Sequence, residues 1–154
     1  MIQQLDHINI VVRDLDSMVD FYTRVLGLRV TKRVTISGKW IDETVGLEGV
    51  LGDVVYLDLE SGPRIELIDY RRPTGVALRG LDQANTPGLR HIAFRVDDID
   101  AVVATLRANG TKFFSGIQQV PDAQVTYAGG VRKRLIYFQD PEGNLLELCE
   151  YKPG

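Results

Sequence analysis

A chain of 154 residues that is 44% hydrophobic and 25% charged has the material for one domain with a full core. A formal net charge of −3 supplies no broad positive field for a nucleic-acid backbone, and no run approaches the roughly 20 apolar residues of a membrane span. The single cysteine, Cys149, cannot form an internal disulfide, and the N-terminus enters a strand pattern too early for a signal peptide. The expectation is a cytoplasmic protein with a small-molecule partner, no nucleic acid and no membrane.

Residues 4–12 alternate, with Ile8, Ile10 and Val12 on one side and His7, Asn9 and Val11 on the other, which predicts a strand with one apolar face. Over residues 14–26 the period changes. Leu15, Met18, Val19, Tyr22, Val25 and Leu26 fall on one helical stripe, Asp16 or Ser17 can cap its start, and Gly27 can end it. Residues 28–35 are rich in β-branched side chains and read as a second strand, and residues 40–45 as a short helix. Residues 54–59 and 64–70 are strand patterns around the turn signal Glu60-Ser61-Gly62-Pro63, hence an antiparallel hairpin. Residues 1–70 thus read βαβββ.

Residues 71–88 lack periodicity and form the connection. A second unit, residues 89–154, then repeats the plan. Its first strand, 89–96, puts His91, Ala93 and Arg95 opposite Ile92, Phe94 and Val96; a helix follows over 98–109 and stops at Gly110. Residues 112–115 read as a short strand, 116–133 as a long polar loop, and 134–139 with 145–151 as a hairpin around Asp140-Pro141-Glu142-Gly143-Asn144.

The repeat is visible residue by residue. A shift of 84 carries Leu5 to Leu89, His7 to His91, Ile8 to Ile92, Val12 to Val96 and Asp14 to Asp98; a shift of 81 carries Val55-Tyr56 to Ile136-Tyr137 and Glu66 to Glu147. The chain's only histidines occupy the same place in each copy. The expected fold is α+β: one domain, 1–154, of two tandem βαβββ modules forming a curved mixed sheet or open barrel-like cleft.

Parity then singles out four side chains. Glu66 lies between Ile65 and Leu67, Glu147 between Leu146 and Leu148, and both histidines likewise sit opposite the apolar positions. If the apolar faces pack on helices, all four project from the uncovered face. One histidine in a strand is ordinarily a hydrogen-bonded core residue, and one outward glutamate is ordinarily the polar side of an alternating strand. Two of each at matching places form a candidate set for a divalent metal: His7, Glu66, His91 and Glu147.

The segments Leu-Asp-His-Ile-Asn-Ile-Val-Val, Phe-Tyr-Thr-Arg-Val-Leu-Gly-Leu, Leu-Arg-His-Ile-Ala-Phe-Arg-Val and Asp-Pro-Glu-Gly-Asn-Leu-Leu-Glu-Leu resemble the vicinal oxygen chelate superfamily over nearly the whole chain. That superfamily includes glyoxalases, methylmalonyl-CoA epimerases, extradiol dioxygenases and metal-free drug-binding resistance proteins. The order His, Glu, His, Glu matches the bacterial glyoxalase pattern, whereas Glu66 departs from the glutamine common in the epimerases and crowds the open positions an extradiol dioxygenase needs. The resemblance implies a metal-dependent lyase or isomerase that abstracts a proton beside a carbonyl. The ion stabilises the enediolate or enolate, and Glu66 or Glu147 acts as the base. Nickel, cobalt or zinc is the implied ion, with iron or manganese as further candidates, and a homodimer is the implied assembly. An extradiol-type dioxygenase and a metal-free drug or metabolite binder are the alternatives.

Asn9, Arg95 and Tyr70 share the parity of the four donors and are candidate substrate contacts. Cys149 shares it too, though a lone cysteine is ordinarily a small buried side chain. Lys32-Arg33, Arg71-Arg72 and Arg132-Lys133-Arg134 could meet phosphates or carboxylates of a coenzyme A or glutathione group, but such runs are ordinarily solvated. Trp40 and Tyr127 lie in irregular segments that could line a pocket.

Overall fold

The computed structural model describes residues 1–154. The chain divides into two compact units, Met1–Ala77 and Leu78–Gly154, each built on a four-stranded mixed sheet. The first unit contains β1 (His7–Val11), β2 (Arg29–Ser37), β3 (Leu51–Asp58) and β4 (Arg64–Arg72), in the order β1-β4-β3-β2. The second contains β5 (His91–Arg95), β6 (Gln118–Gln119), β7 (Val131–Gln139) and β8 (Leu145–Pro153), in the order β5-β8-β7-β6. In both, the first strand runs parallel to the last and the other neighbours are antiparallel. The repeated sequence therefore folds as a repeated α+β topology, two tandem βαβββ modules.

The parallel pairing needs a crossover, and the amphipathic segment after each first strand supplies it. These are α1 (Leu15–Asp20), prolonged by a π-helical turn over Phe21–Val25, and α3 (Ile99–Ala108). Both start the same way: Asp14 accepts a hydrogen bond from the Ser17 amide and Asp98 from the Ala101 amide, each at 3.0 Å. Asp16 and Ser17, read as caps from the sequence, lie inside α1. With Asp14 as the cap the helix begins at Leu15, two residues before an Asp16 cap would start it; Leu15 is half-buried and its counterpart Ile99 wholly buried. Between β2 and β3 lies the short α2 (Lys39–Val45), which ends at Gly46 with φ +69°.

α1 packs on β4 and α3 on β8. Ile65 and Leu67 of β4, Val55 and Leu57 of β3, and Met18 and Tyr22 of the helix form one buried layer; Leu146, Leu148, Ile136, Phe138, Ile99 and Leu106 form its counterpart. Each such aliphatic or aromatic side chain contributes about 1.5–3 kcal/mol by leaving water. Alternation then sends Glu66, Tyr56, Glu147 and Tyr137 to the opposite face of their strands.

Two details differ from the sequence reading. Residues 112–115 form no strand but a single bridge, Phe113 with Phe138, and the short edge strand is Gln118–Gln119. β7 also begins at Val131, three residues before residue 134, which shortens the expected loop and draws Lys133 into the sheet. No helix is long and apolar enough to cross a membrane.

Candidate active site

Strand register places each histidine against its glutamate. Across β1 and β4, Asn9 stands opposite Glu66 and His7 opposite Arg64; across β5 and β8, Ala93 stands opposite Glu147 and His91 opposite Leu145. In both units the imidazole is thus two residues out of register with the carboxylate, on the same face of a parallel pair.

In the second unit the two side chains meet. His91 Nε2 lies 3.2 Å from Glu147 Oε2, while His91 Nδ1 faces the Tyr137 hydroxyl at 3.4 Å, with the rings 4.9 Å apart. Glu147 is only 3% exposed. This differs from the expectation of an uncovered face, because β8 is a central strand whose residues 145–150 are all buried. Its second oxygen, Oε1, lies 2.7 Å from Lys133 Nζ, yet makes no directed hydrogen bond. The contact is therefore mainly a charge pair. Burial alone lowers the affinity of the Lys133 ammonium for its proton, but the close contact with the Glu147 carboxylate outweighs burial and holds it above the usual lysine range. Burial, followed by the charge of Glu147, raises the Tyr137 phenol, so it remains a neutral donor at pH 7.

In the first unit Glu66 is half-buried and receives a 2.8 Å hydrogen bond from Asn9 Nδ2 at Oε1. Tyr56, directly across the strand, is raised by burial and then by its hydrogen bond to Glu66. His7 Nδ1 lies 2.8 Å from Asp6 Oδ2. That hydrogen bond is the main reason the Asp6 carboxyl sits below its ordinary range. Both histidines therefore direct Nδ1 to a neighbouring oxygen and leave Nε2 for another partner, as metal-bound histidines commonly do.

Each half of the quartet is assembled within its own sheet, and no three His, Cys, Asp or Glu side chains gather around one point. The assembled half has the dimensions a metal asks for. Two donors about 2.1 Å from one ion stand roughly 3.0–3.4 Å apart for octahedral or tetrahedral angles, and the His91–Glu147 separation of 3.2 Å falls in that interval. Lys133 would then act as the outer partner of a carboxylate ligand. The donor set fits a borderline divalent ion.

The remaining candidates divide between the units. Asn9 touches Glu66, whereas Tyr70 lies opposite Gly52 further along the same face. Arg95 is exposed, with its guanidinium carbon 5.3 Å from the centre of the Tyr151 ring. Tyr127 makes an edge contact with Tyr151 at 5.4 Å, and Trp40 is 60% exposed. Cys149 is buried, and burial raises its thiol. Sequence reasoning missed Tyr56 and Tyr137, and met Lys133 only as part of the charged run Arg132-Lys133-Arg134, not as a partner of Glu147. The tyrosines carried a signal, since each precedes its glutamate by 10 positions in a matched strand.

Comparison with known proteins agrees with this construction. The model of the Glyoxalase/Bleomycin resistance protein/Dioxygenase superfamily matches residues 4–148. A 2-epi-5-epi-valiolone epimerase from Actinomyces is 29% identical over 152 residues, spanning 96% of this chain and 79% of that protein. A probable lactoylglutathione lyase from Vibrio cholerae is 31% identical over 146 residues, spanning 95% and 89%. The crystal structure of a glyoxalase family protein from Bacillus cereus, 27% identical, superposes with a TM-score of 0.83 over 100% of this chain and 97% of that one. With the family match extending from before the first histidine to beyond the last glutamate of the quartet, the chain belongs to the Glyoxalase/Bleomycin resistance protein/Dioxygenase superfamily.

Proposed function

We propose that this protein is a metal-dependent lyase or isomerase that moves a proton on the carbon beside a carbonyl of a small-molecule substrate. His7, Glu66, His91 and Glu147 hold the divalent ion, with nickel, cobalt or zinc favoured by the donor set. The observation that carries the reading is the His91–Glu147 contact at 3.2 Å together with the same strand offset for His7 and Glu66. Relatives named as an epimerase and as a probable lactoylglutathione lyase support the reaction class.

When bound, the ion polarises the substrate carbonyl oxygen and offsets the charge that develops there. The protein's residues divide the rest of the work. Glu147, buried between His91 and Lys133, is held in place by both, which suits a steady ligand and not a group that must detach. Glu66 is more open and is held only by neutral partners, the Asn9 amide and the Tyr56 hydroxyl, so it is less tightly bound than Glu147 and better suited to take the proton. On this reading Glu66, and not Glu147, is the base. The neutral Tyr137 hydroxyl fixes the His91 ring by its contact at Nδ1.

Metal analysis of protein purified without chelator should find about one nickel, cobalt or zinc ion per chain. Glu66→Gln should keep the ion while proton exchange falls about 10²–10⁴-fold. The exchange is read by NMR in D2O on a panel of 2-hydroxycarbonyl compounds and hemithioacetals. Undiminished exchange in that variant overturns the base role; iron with oxygen uptake points to a dioxygenase, and metal-free protein to a binder. The same preparation should sediment as a homodimer.

A further inference from the structure

The face of the second sheet that carries His91 and Glu147 continues toward the far end of β5 and β8, where the register brings Arg95 opposite Cys149 and Lys133 opposite Tyr151. Arg95 and Lys133 thereby meet at one aromatic ring, the guanidinium carbon 5.3 Å and the ammonium nitrogen 5.9 Å from the Tyr151 centroid. Arg95 has no carboxylate within ion-pair distance, whereas Arg132 has one, Asp122, and Arg134 has two, Asp100 and Glu150. Glu147 balances Lys133 alone, so this end of the face keeps one uncompensated positive charge. Two cations drawn to one ring repel each other unless an anion joins them.

The first unit lacks this arrangement at every corresponding position. The repeat places Val11 where the second unit has Arg95, Gly52 where it has Lys133 and Ile68 where it has Cys149, and keeps only the tyrosine, Tyr70 for Tyr151. The cations are therefore a property of one module and not of the shared strand pattern.

We propose that Arg95 and Lys133, seated on Tyr151, form an anion subsite that receives a carboxylate or phosphate group of the substrate. The guanidinium offers a planar pair of N–H donors suited to either oxyanion. Lys133 has three donors, so one can stay on Glu147 while the others turn to the anion. Because Lys133 also touches Glu147, an anion held here lies next to the donor pair, and the assignment of that anion to the substrate rests on the function proposed above. The reacting molecule is then a carbonyl compound with a second, anionic end.

Binding at the subsite can be measured without the ion and without turnover. Metal-stripped protein in a chelator-free, chloride-only buffer at fixed ionic strength is titrated with inorganic phosphate and, separately, with malonate. Arg95 Nε–H and the Lys133 and Tyr151 amides are followed by NMR. Saturable shifts at these groups are expected, and whichever anion binds tighter names the substrate's charged group. Arg95→Met should weaken binding about tenfold, Lys133→Arg should stay within about threefold of the parent, and Arg29→Met, on the other unit, should change nothing. Shifts that do not saturate by on the order of 50 mM, or equal binding by Arg95→Met, overturn the subsite. Metal content is determined on separate samples, so a failed anion titration with intact metal binding removes only the subsite. A failed metal analysis with intact anion binding removes only the catalytic reading.

Discussion

The two units have the same strand order, the same parallel pair, the same aspartate cap and the same histidine-to-glutamate offset, yet they treat the glutamate differently. Glu66 is half-buried beside the amide of Asn9; Glu147 is buried beneath an ammonium. Backbone register places the donors alike in both copies, while the residues on the adjoining strands, Asn9 directly opposite Glu66 and Lys133 beside Glu147, set their electrostatics independently. Duplication has preserved the frame and let the charges diverge. That split underlies the proposed division of labour, with Glu147 as the fixed ligand and Glu66 as the base.

The difference is sharpest in the folding energy. Glu147→Gln leaves the largely buried Lys133 ammonium without its countercharge, and breaking such a pair from one side costs about 3–5 kcal/mol. The matching Glu66→Gln replaces a carboxylate whose protein partners are neutral, and should cost less than about 1 kcal/mol. Urea unfolding of metal-stripped protein compares them directly. Equal losses would mean that the Lys133 contact carries little energy and that the two units are electrostatically alike.

A second divergence lies at the helix starts. Glu150 is 1% exposed, accepts the Ile99 amide at 3.0 Å at the head of α3, and pairs with Lys152 at 2.9 Å and Arg134 at 3.4 Å. Burial pushes its carboxyl up. The Lys152 and Ile99 hydrogen bonds and the two positive charges outweigh that and hold it below the ordinary range. The repeat puts Asp69 at this place in the first unit, one methylene shorter and not bonded to the helix. Because the folded pKa is depressed, the stabilisation is present above the ordinary glutamate value and is lost as pH falls through the folded one. Glu150→Gln should cost roughly 1–3 kcal/mol at pH 7 and flatten the acid limb of stability against pH, whereas Asp69→Asn should change either by less than about 0.5 kcal/mol. Thermal unfolding between pH 3 and pH 7 reads both, and an unaltered acid limb in Glu150→Gln would reassign the acid sensitivity to another carboxylate.

What could be read from the sequence follows the same division. Period-two parity and the duplicated segments specify strands, crossover helices and the side of the sheet to which His7, Glu66, His91 and Glu147 point, because those depend on backbone geometry that any strand shares. The environment of each donor depends on which residue stands across the strand, and a misplaced strand start hides it. With β7 taken to begin at residue 134, Lys133 belonged to a loop and to a charge run that is ordinarily solvated. With β7 beginning at Val131, the same alternation turns Lys133 to the Glu147 side and Arg132 and Arg134 to the other. The cap was misread for a related reason. Asp14, Asp16 and Ser17 all carry suitable oxygens, and the choice among them depends on where the helical backbone begins, at Leu15, which parity and stripe alone do not fix.

The caps also give the smallest of the expected effects and the cleanest check on the frame the units share. Asp14→Ala and Asp98→Ala each remove one side-chain acceptor for an amide at 3.0 Å, from helices that follow matched strands and enter matched layers. Each should cost about 1 kcal/mol, within a range of 0.5–2. The two losses should agree to within about 0.5 kcal/mol and add in the double variant, because the caps lie in different units. A much larger loss for Asp98 would mean that the long, regular α3 depends on its start more than α1 does, whose π turn is secured separately by the Thr23 hydroxyl on the Val19 carbonyl at 2.7 Å. The duplicated units would then differ in how their helices are held as well as in the charges around their glutamates.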